Sequence, residues 1–242
     1  MIVLFTDFGL SGPYLGQVKA VLHDRAPGTA IVDLFADAPV GNPKAAAYLL
    51  AAYAAWFPAS TVFLCVVDPG VGGDRPAVIL EADGRYYVGP GNGLFELVRR
   101  RAGRARSWDI TWQPERLSAS FHGRDLFAPV AAMLARGEPP PGRPRDDASD
   151  RRPDWPDELP EIVYIDHFGN AMTGLRAAAL PPAARLVAAG QVLPRATTFS
   201  DLPAGSAFWY ETSNGLAEIA VNSGRADQAL GLAIGNAVAI IP

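Results

Sequence analysis

Residues 1–35 read MIVLFTDFGLSGPYLGQVKAVLHDRAPGTAIVDLF, and this stretch decides the fold class. The apolar run Ile2–Thr6 and a second strand-like segment, Ile31–Phe35, enclose Tyr14–Arg25, a segment whose apolar residues recur at helical spacing. Strands without polar alternation are typical of sheets that are covered by helices on both faces. The stretch therefore predicts a strand–helix–strand unit of an α/β protein.

The same alternation continues beyond residue 35, so the sequence predicts an N-terminal α/β domain with a largely parallel sheet. The dipeptide Asp83-Gly84 is a strong turn signal and indicates one hairpin in this domain. The further predicted elements are a helix at Pro43–Trp56, a strand at Val62–Val67, a hairpin of Val78–Glu81 with Tyr86–Val88, and helices at Leu94–Arg101 and Leu126–Leu134.

The composition changes between Glu138 and Pro160, a stretch with seven prolines and a cluster of aspartates. Because consecutive prolines cannot continue a helix, we predict a linker at residues 146–158 between domains at 1–145 and 159–242. The apolar runs after the linker are short and separated by Gly, Asn, Pro and Ser, which predicts a smaller all-β domain. Those runs are Ile162–Asp166, Arg185–Ala189, Ala207–Glu211, Ala217–Val221 and Val238–Ile241, with a helical turn near Arg225–Leu232.

The composition also limits the functional classes. Of 242 residues, 49% are apolar and 19% are charged, which is sufficient for a buried core. A net charge of −4 disfavours a nucleic-acid scaffold, and the single cysteine, Cys65, excludes a disulfide framework and multi-cysteine metal sites. No apolar run approaches the roughly 18 residues of a membrane span, and the amino terminus lacks a signal-peptide pattern. We therefore expect a soluble, cytoplasmic protein.

Polar residues follow several predicted strands, at the place where open α/β sheets bind ligands. Asp7 follows the first strand, Asp68 follows the third, and the glycine-rich segment Gly89–Gly93 follows the hairpin. A single aspartate at such a position is equally well explained as a helix N-cap, but two of them beside glycine-containing turns favour a shared site. The glycines fit neither a dinucleotide fingerprint nor a phosphate-binding P-loop.

Another polar segment, Ser120–Asp125, precedes the last predicted helix of the first domain. His122 alone is more typical of a surface or capping residue. Together with Asp68 and Arg75 from another loop, it could bind and polarise a water molecule. Asp125 can also be explained as an acid in the first turn of the helix, where the helix dipole favours it.

The second domain contributes two polar clusters. Asp166–Asn170 supplies a carboxylate, an aromatic face and an amide, which would suit a ligand with a sugar and a base, although a β-turn uses the same residue types. The other cluster is Thr212–Gly215 followed by Glu218–Asn222. The basic run Arg99–Arg106 is predicted to be a solvated helix end and not an RNA-binding surface.

Six of these motifs occur together along the chain. They are Thr6-Asp7-Phe8-Gly9, Val67-Asp68-Pro69-Gly70-Val71-Gly72, Gly89-Pro90-Gly91-Asn92-Gly93-Leu94, Phe121-His122-Gly123-Arg124-Asp125, Ile165-Asp166-His167-Phe168-Gly169-Asn170, and Ser213-Asn214-Gly215 with Glu218-Ile219-Ala220-Val221-Asn222. In these motifs and their order, the chain resembles the S-adenosyl-L-methionine (SAM) hydroxide adenosyltransferases, hydrolases related to fluorinase and chlorinase. The resemblance covers essentially the whole chain.

The resemblance implies an N-terminal α/β domain, a C-terminal β domain and a homotrimer, with the ligand site between the N-terminal domain of one subunit and the C-terminal domain of its neighbour. The implied reaction is attack of water-derived hydroxide on the 5′ carbon of SAM, which gives adenosine and L-methionine without a metal or other cofactor. Asp68, Arg75 and His122 correspond to the catalytic residues of the family.

Eight further residues correspond to substrate-binding positions of the family. Asp7 matches the ribose-binding aspartate, and Asp166 matches a carboxylate on the methionine side. The others are Phe8 next to Asp7, Phe168 and Asn170 around the adenosine, and Ser213, Glu218 and Val221 in the last contact segment, where Val221 would act through its backbone.

Two departures from the family pattern stand outside the three catalytic positions. Gly91 lies where the family usually has an aspartate, which would loosen a turn. Thr212-Ser213 lies where an Asn-Ser pair is common, so the resemblance does not assign a contact to Asn214.

Three alternatives to a hydrolase follow from the same residues. A halogenase of this superfamily would have a tyrosine at Asp68 and no counterpart of His122, and fluorinase has an extra loop where this chain has Asp83-Gly84-Arg85. A sensor that only binds adenosine or SAM would not need a water-polarising cluster. A metal-dependent phosphoesterase using Asp7, Asp68 and His122 would need more ligands than these loops offer.

Overall fold

The structure is a computed structural model that describes residues 1–146 and 151–241. It divides into two compact units, Met1–Arg152 and Pro153–Pro242. The linker predicted at residues 146–158 lies partly outside the described residues. A large mixed sheet in the first unit and antiparallel sheets in the second confirm the predicted fold class.

The N-terminal unit is built on one seven-stranded sheet. Its strands are β1 (Ile2–Thr6), β2 (Ile31–Phe35), β3 (Val62–Val66), β4 (Ala77–Ala82), β5 (Arg85–Pro90), β6 (Ala105–Ile110) and β7 (Gly142–Pro144). Their spatial order is β2-β1-β3-β5-β4-β6-β7. The first four strands in this order run parallel, and β4, β6 and β7 join by antiparallel pairing.

Both faces of the central strands β1 and β3 are buried, as their continuous apolar runs predict, whereas the edge strand β2 is partly exposed. The helices of the unit are α1 (Tyr14–Arg25), α2 (Pro43–Ala54), α3 (Glu96–Arg101) and α4 (Ala128–Ala135). Helix α1 packs beside α4, and α2 packs beside α3. Ile2 and Leu4 belong to the core that contains α1 and α4, and the alternate residues Val3 and Phe5 are equally buried. A π-helical turn at Gly123–Phe127 leads into α4.

Two strands of this sheet were not predicted, and one arginine of the basic run that we expected to be solvated is buried. Strand β6 begins within the basic run, at Ala105, and pairs with β7, which lies in the proline-rich stretch just before the predicted linker. Arg99 is buried and donates a hydrogen bond from Nη2 to the Ser107 hydroxyl at 3.0 Å. It is therefore not part of a solvated helix end, because β6 brings a polar partner to its guanidinium.

The C-terminal unit contains two antiparallel sheets. Strands β8 (Leu159–Ile165), β9 (Ala171–Arg176), β12 (Ala207–Glu211) and β13 (Leu216–Val221) form one sheet in the order β12-β13-β9-β8, and β10 (Arg185–Ala188), β11 (Gln191–Leu193) and β14 (Ala239–Ile241) form the other. The short helix α5 (Ala226–Ala229) follows β13. Trp209 is fully buried in the core of this unit and donates from its indole N–H to the Ala184 carbonyl at 3.1 Å.

A membrane-spanning helix would have to be longer and more apolar than any helix in the described part of the chain.

Candidate active site

The two strand-end aspartates meet at one edge of the parallel sheet. Strands β1 and β3 are neighbours, with Thr6 paired to Val66, and Asp7 and Asp68 follow their carboxyl ends. The Asp7 N–H donates to the Val66 carbonyl at 3.1 Å, which fixes the first residue after β1 against the end of β3. The parallel pairing thus places both carboxylates at the same end of the sheet.

Asp68, Arg75 and His122 form one connected group of side chains. The Arg75 Nε lies 3.0 Å from each Asp68 carboxylate oxygen, and its Nη2 also donates to Asp68 Oδ2. The same Nη2 lies 2.9 Å from His122 Nδ1. The guanidinium carbon sits 5.3 Å from the centre of the Phe127 ring, in the range of a cation–π contact. Arg75 therefore joins a carboxylate from one loop to an imidazole from another.

This geometry fixes the tautomer of His122. A guanidinium can only donate hydrogen bonds, so Nδ1 must accept, and the ring proton of the neutral imidazole is on Nε2. Burial and the positive charge of Arg75 lower the pKa of His122, against smaller opposing effects of Asp68 and Asp125. The neutral imidazole is therefore the resting form near pH 7, and its Nε2–H is available as a donor.

A cleft of about 300 Å³ lies beside this group. Aromatic rings form much of its wall: the Phe121 ring centre is 5.7 Å from that of Phe8 and 5.5 Å from that of Tyr14. Its lining residues are Asp7, Phe8, Tyr14, Val66, Asp68, Val71, Ser120, Phe121, His122 and Gly123. Tyr14 and Phe121 were not among the predicted site residues, and the only signal in the sequence was their aromatic character near the Asp7 and His122 motifs.

Asp7 is held in place by backbone contacts. Its Oδ2 accepts a hydrogen bond from the Gly41 N–H at 2.9 Å. Burial raises the pKa of Asp7, the Gly41 hydrogen bond opposes this rise, and the charge of Asp68 adds to it. Asp7 is thus a partly desolvated carboxylate with a fixed orientation at the rim of the cleft.

Two close backbone approaches bring the loops of the site together. Gly72 has φ +79°, and a Cβ at this position would overlap the Ala119 carbonyl oxygen. Asn92, in the third glycine-rich segment, donates from Nδ2 to the Val67 carbonyl at 2.9 Å and accepts from the Leu94 N–H at 3.2 Å. Gly72 therefore lets the loop that carries Arg75 lie against the loop that carries His122, and Asn92 supports the backbone just before Asp68.

A second group of predicted residues lies in the C-terminal unit. The Asp166 carboxylate accepts from the Asn170 backbone N–H at 2.8 Å and from the Asn170 amide at 3.3 Å. Glu218 lies on β13 next to β9, and its Oε1 accepts a hydrogen bond from the Tyr210 hydroxyl. The ring of Phe168 is 71% exposed, which is unusual for so large an apolar side chain.

The environment of Glu218 raises its pKa to about 7. Burial is the main cause, the Asp166 charge adds to it, and hydrogen bonds from Tyr210 and Asn170 oppose it. Only 1% of the residue is exposed, and its Oε2 has no hydrogen-bond partner among the described residues. A buried carboxyl oxygen of this kind is costly unless a ligand or water satisfies it.

The two remaining predicted residues lie at different places on the same hairpin. Ser213 is exposed in the turn that joins β12 to β13. Val221 is buried at the end of β13, where its carbonyl accepts from the Gly224 N–H at 3.1 Å. The structure thus brings Asp166, Asn170 and Glu218 together and sets Ser213 apart in the turn. Tyr210, which was not predicted, is the neighbour of Glu218 across the strand pair.

Among the described residues, no group of three His, Cys, Asp or Glu side chains is arranged to hold a metal ion.

Comparison with known proteins identifies the family. A model of the SAM hydroxide adenosyltransferase N-terminal domain matches residues 2–142, and a model of the C-terminal domain of the same family matches residues 160–239. The chain belongs to the SAM hydroxide adenosyltransferase family. The resemblance found in the sequence is confirmed over both units.

The relatives of this SAM hydroxide adenosyltransferase family member include proteins named hydrolase and, at lower identity, a fluorinase. A Thermus thermophilus protein named (R)-S-adenosyl-L-methionine hydrolase is 42% identical over 258 residues, covering 99% of each chain. A Salinispora arenicola protein of the same name is 36% identical, covering 96% of this chain and 94% of the relative. A Nocardia brasiliensis fluorinase is 24% identical over 92% of this chain and 90% of its own.

A crystal structure of an uncharacterized conserved protein from Thermotoga maritima has the same fold, with a TM-score of 0.90 and 30% identity over the full length of both chains.

Proposed function

We propose that this chain hydrolyses (R)-S-adenosyl-L-methionine to adenosine and L-methionine. The observation that carries the proposal is the connected group of Asp68, Arg75 and His122 beside the aromatic cleft. The similarity of the whole chain to known proteins supports the same function, since a relative named for this hydrolysis is 42% identical over 99% of the chain. A protein that only binds the substrate has no need of a neutral imidazole held in one tautomer next to a cleft.

The chemistry required is a displacement at carbon. The water oxygen forms a bond to C5′ while the C5′–S bond breaks, and the electron pair of that bond returns to sulfur as the neutral thioether of methionine. One proton leaves the attacking water. Because a sulfonium leaves as a neutral group, no acid is needed on that side, and the barrier lies in aligning and desolvating the nucleophile.

Each of the three proposed catalytic side chains has a distinct task. His122 donates from Nε2–H to the water oxygen and so directs a lone pair at the carbon. Arg75 holds the imidazole in this orientation through Nδ1 and favours the ionised form of the water by its positive charge. Asp68 orients Arg75 through both carboxylate oxygens and, as a residue lining the cleft, accepts the proton that the water loses.

Substrate binding is proposed for residues of both units. In the N-terminal unit, Asp7 would bind the ribose hydroxyls and Phe8 would contact an apolar face of the ligand. In the C-terminal unit, Asp166 would bind the methionine ammonium, and the exposed Phe168 ring would cover the adenine. The remaining residues proposed to contact the adenosine are Asn170, Ser213, Glu218 and Val221.

The homotrimer and the cytoplasmic location implied by the family resemblance belong to the same proposal. Light scattering of the purified protein tests the trimer directly, since a mass near 25.6 kDa would indicate a monomer.

A product assay tests the function. The purified, chelator-treated protein is incubated with SAM, with and without chloride, and the products are separated by chromatography. We expect equal amounts of adenosine and methionine, independent of chloride. A 5′-chloro product would assign the chain to the halogenases instead, and binding of adenosine without turnover would make it a sensor.

A further inference from the structure

The loop Asp166–Asn170 carries three of the proposed binding residues on a short chain segment. Inside the loop, the Gly169 N–H donates to the Asp166 carbonyl at 3.0 Å, and the Asp166 N–H donates to the Asn170 carbonyl at 3.0 Å. The side chain of Asp166 adds the two hydrogen bonds to Asn170 described above. These bonds define a tight turn, but they leave the tip at His167 and Phe168 exposed.

The tip of this loop is held from outside by the segment around helix α5. Arg225 donates from Nη1 to the His167 carbonyl at 2.8 Å, and the Asp227 N–H donates to the Gly169 carbonyl at 2.9 Å. Arg225 and Asp227 are themselves joined by two hydrogen bonds, from Nε to Oδ1 at 3.1 Å and from Nη2 to Oδ2 at 2.9 Å. The two loop carbonyls that flank Phe168 are therefore both fixed by the same ion-paired couple.

The packing at Gly169 shows how close this contact is. Gly169 has φ +84°, and a Cβ there would lie 2.5 Å from Asp227 Oδ1 and 2.8 Å from the Arg225 Cβ. The loop backbone and the ion pair thus touch directly, with no room for another atom. Asp166 also acts on Arg225 through its charge, which contributes to the raised pKa of that guanidinium, although the hydrogen bond to Asp227 is the main cause.

We propose that Arg225 and Asp227 are positioning residues that hold the Asp166–Asn170 loop in its substrate-binding conformation. The inference rests on the proposed function, since it concerns the binding of the same substrate. An exposed aromatic ring on a free loop would have to be ordered each time a ligand binds, and that ordering costs affinity. A loop that is already fixed at the two carbonyls flanking Phe168 avoids most of this cost.

The expected kinetic result follows from where the ion pair acts. Neither Arg225 nor Asp227 belongs to the group of Asp68, Arg75 and His122, so losing the pair weakens the binding of substrate and of transition state equally. A change of this type raises KM and leaves kcat unchanged. We expect Arg225→Ala to raise KM for SAM and Kd for adenosine about tenfold, below the roughly hundredfold that displacing a reacting group can cost.

The test combines these constants with hydrogen exchange. In Arg225→Ala and in Asp227→Asn, the amides of Gly169 and Asn170 should exchange at least about tenfold faster than in the wild type, because their partners lie within a loop that has lost its outside support. Arg225→Lys should recover part of the protection, since one ammonium can still reach the His167 carbonyl. Arg195→Ala removes a different ion pair of the same unit, that of Arg195 with Glu211, and serves as the matched control.

Faster exchange in both variants together with a raised KM and an unchanged kcat supports the proposal. Unchanged exchange in Arg225→Ala would overturn it, and so would faster exchange with wild-type KM and Kd. If Arg225→Ala fails to fold, Asp227→Asn and Arg225→Lys carry the same comparison. If the wild type does not turn over SAM, the proposed function fails, while exchange and adenosine binding still test the ion pair separately.

Discussion

The acidic residues of the two candidate binding groups differ in the partners that surround their carboxyl groups. In the N-terminal unit, Asp68 faces the guanidinium of Arg75, which in turn bonds to His122. In the C-terminal unit, Glu218 is more deeply buried and its hydrogen-bond donors, Tyr210 and Asn170, are neutral, so burial raises its pKa to about 7. A carboxylate with a cation partner can remain charged beside a reacting water, whereas a carboxyl without one suits the binding of a polar ligand atom.

The comparison predicts that removing a member of the Arg75-linked group slows catalysis strongly and spares binding. Asp68→Ala and His122→Ala should each lower kcat at least about a hundredfold, the usual scale for losing an acid–base group, while Kd for adenosine changes little. Steady-state kinetics and calorimetry measure the two quantities. Asp74→Asn, an exposed aspartate on the same loop, should behave like the wild type. Wild-type turnover in both alanine variants would remove the proposed mechanism.

For Glu218 we predict an effect on folding stability. Its raised pKa makes the free energy of unfolding depend on pH. Between its ordinary value of 4.5 and about 7, the folded state holds the proton that the unfolded state has lost, so stability falls as pH rises through this window. The change amounts to at most about 3 kcal/mol. In Glu218→Gln the difference in unfolding midpoint between pH 4.5 and pH 8 should shrink.

The exposed Glu211 on the adjacent strand provides the control for this measurement, as Glu211→Gln. If the unfolding midpoint of Glu218→Gln depended on pH as strongly as that of the wild type, the Glu218 carboxyl would not be the cause of the pH-dependent stability.

A third prediction concerns the backbone contact that brings the two loops of the first group together. Gly72→Ala should lower kcat about tenfold, because its Cβ would push the Arg75 loop away from Ala119 and displace the reacting groups by a fraction of an ångström. Gly28→Ala has the same unfavourable φ, +78°, but open space around the Cβ. Both variants should lose about 1 kcal/mol of stability from the strained backbone. Equal kcat in the two would contradict the role of the contact.

The smallest expected effect is a shift in the acid limb of the pH–rate profile. Since burial and Arg75 lower the pKa of His122, the acid limb of kcat/KM, which reports the free enzyme, should be centred below 6.5, the ordinary value for histidine. Protonation would remove the acceptor at Nδ1 and place a second positive charge beside the guanidinium. A limb centred above pH 7, measured in buffers of constant ionic strength, would show that His122 is not held neutral in this way.

Much of the fold could be predicted because the central parallel strands β1 and β3 are buried on both faces and their sequences are almost continuously apolar. Strands β1 and β2 and helix α1 have the predicted bounds. Strands β6, β7, β9 and β11 escaped prediction for physical reasons. Strands β7 and β11 are three-residue edge strands, β6 has a polar sequence, and β9 contains Thr173 and Gly174, whose places are set by pairing with β8 and β13.

The residues of the candidate site likewise divide into those that the sequence could indicate and those that only the fold brings together. The aspartates after β1 and β3 could be found from the sequence, since they follow buried strands and the parallel register brings strand ends together. Arg75 lies in a glycine-rich loop without periodicity; its residue type suggested that it could polarise a water together with Asp68 and His122, and the family resemblance pointed to it as a catalytic residue. Tyr210 and Arg225 gave no signal, because their partners, Glu218 and the His167 carbonyl, become neighbours only through the antiparallel pairing and the packing of α5.

Isotopic labelling tests most directly the claim that water, positioned by His122 and Arg75, attacks the 5′ carbon. The protein is incubated with SAM in ¹⁸O-labelled water, and the adenosine and methionine are analysed by mass spectrometry. The account predicts one labelled oxygen in adenosine, at the 5′-hydroxyl, and none in methionine. Unlabelled adenosine, or label in methionine, would contradict it.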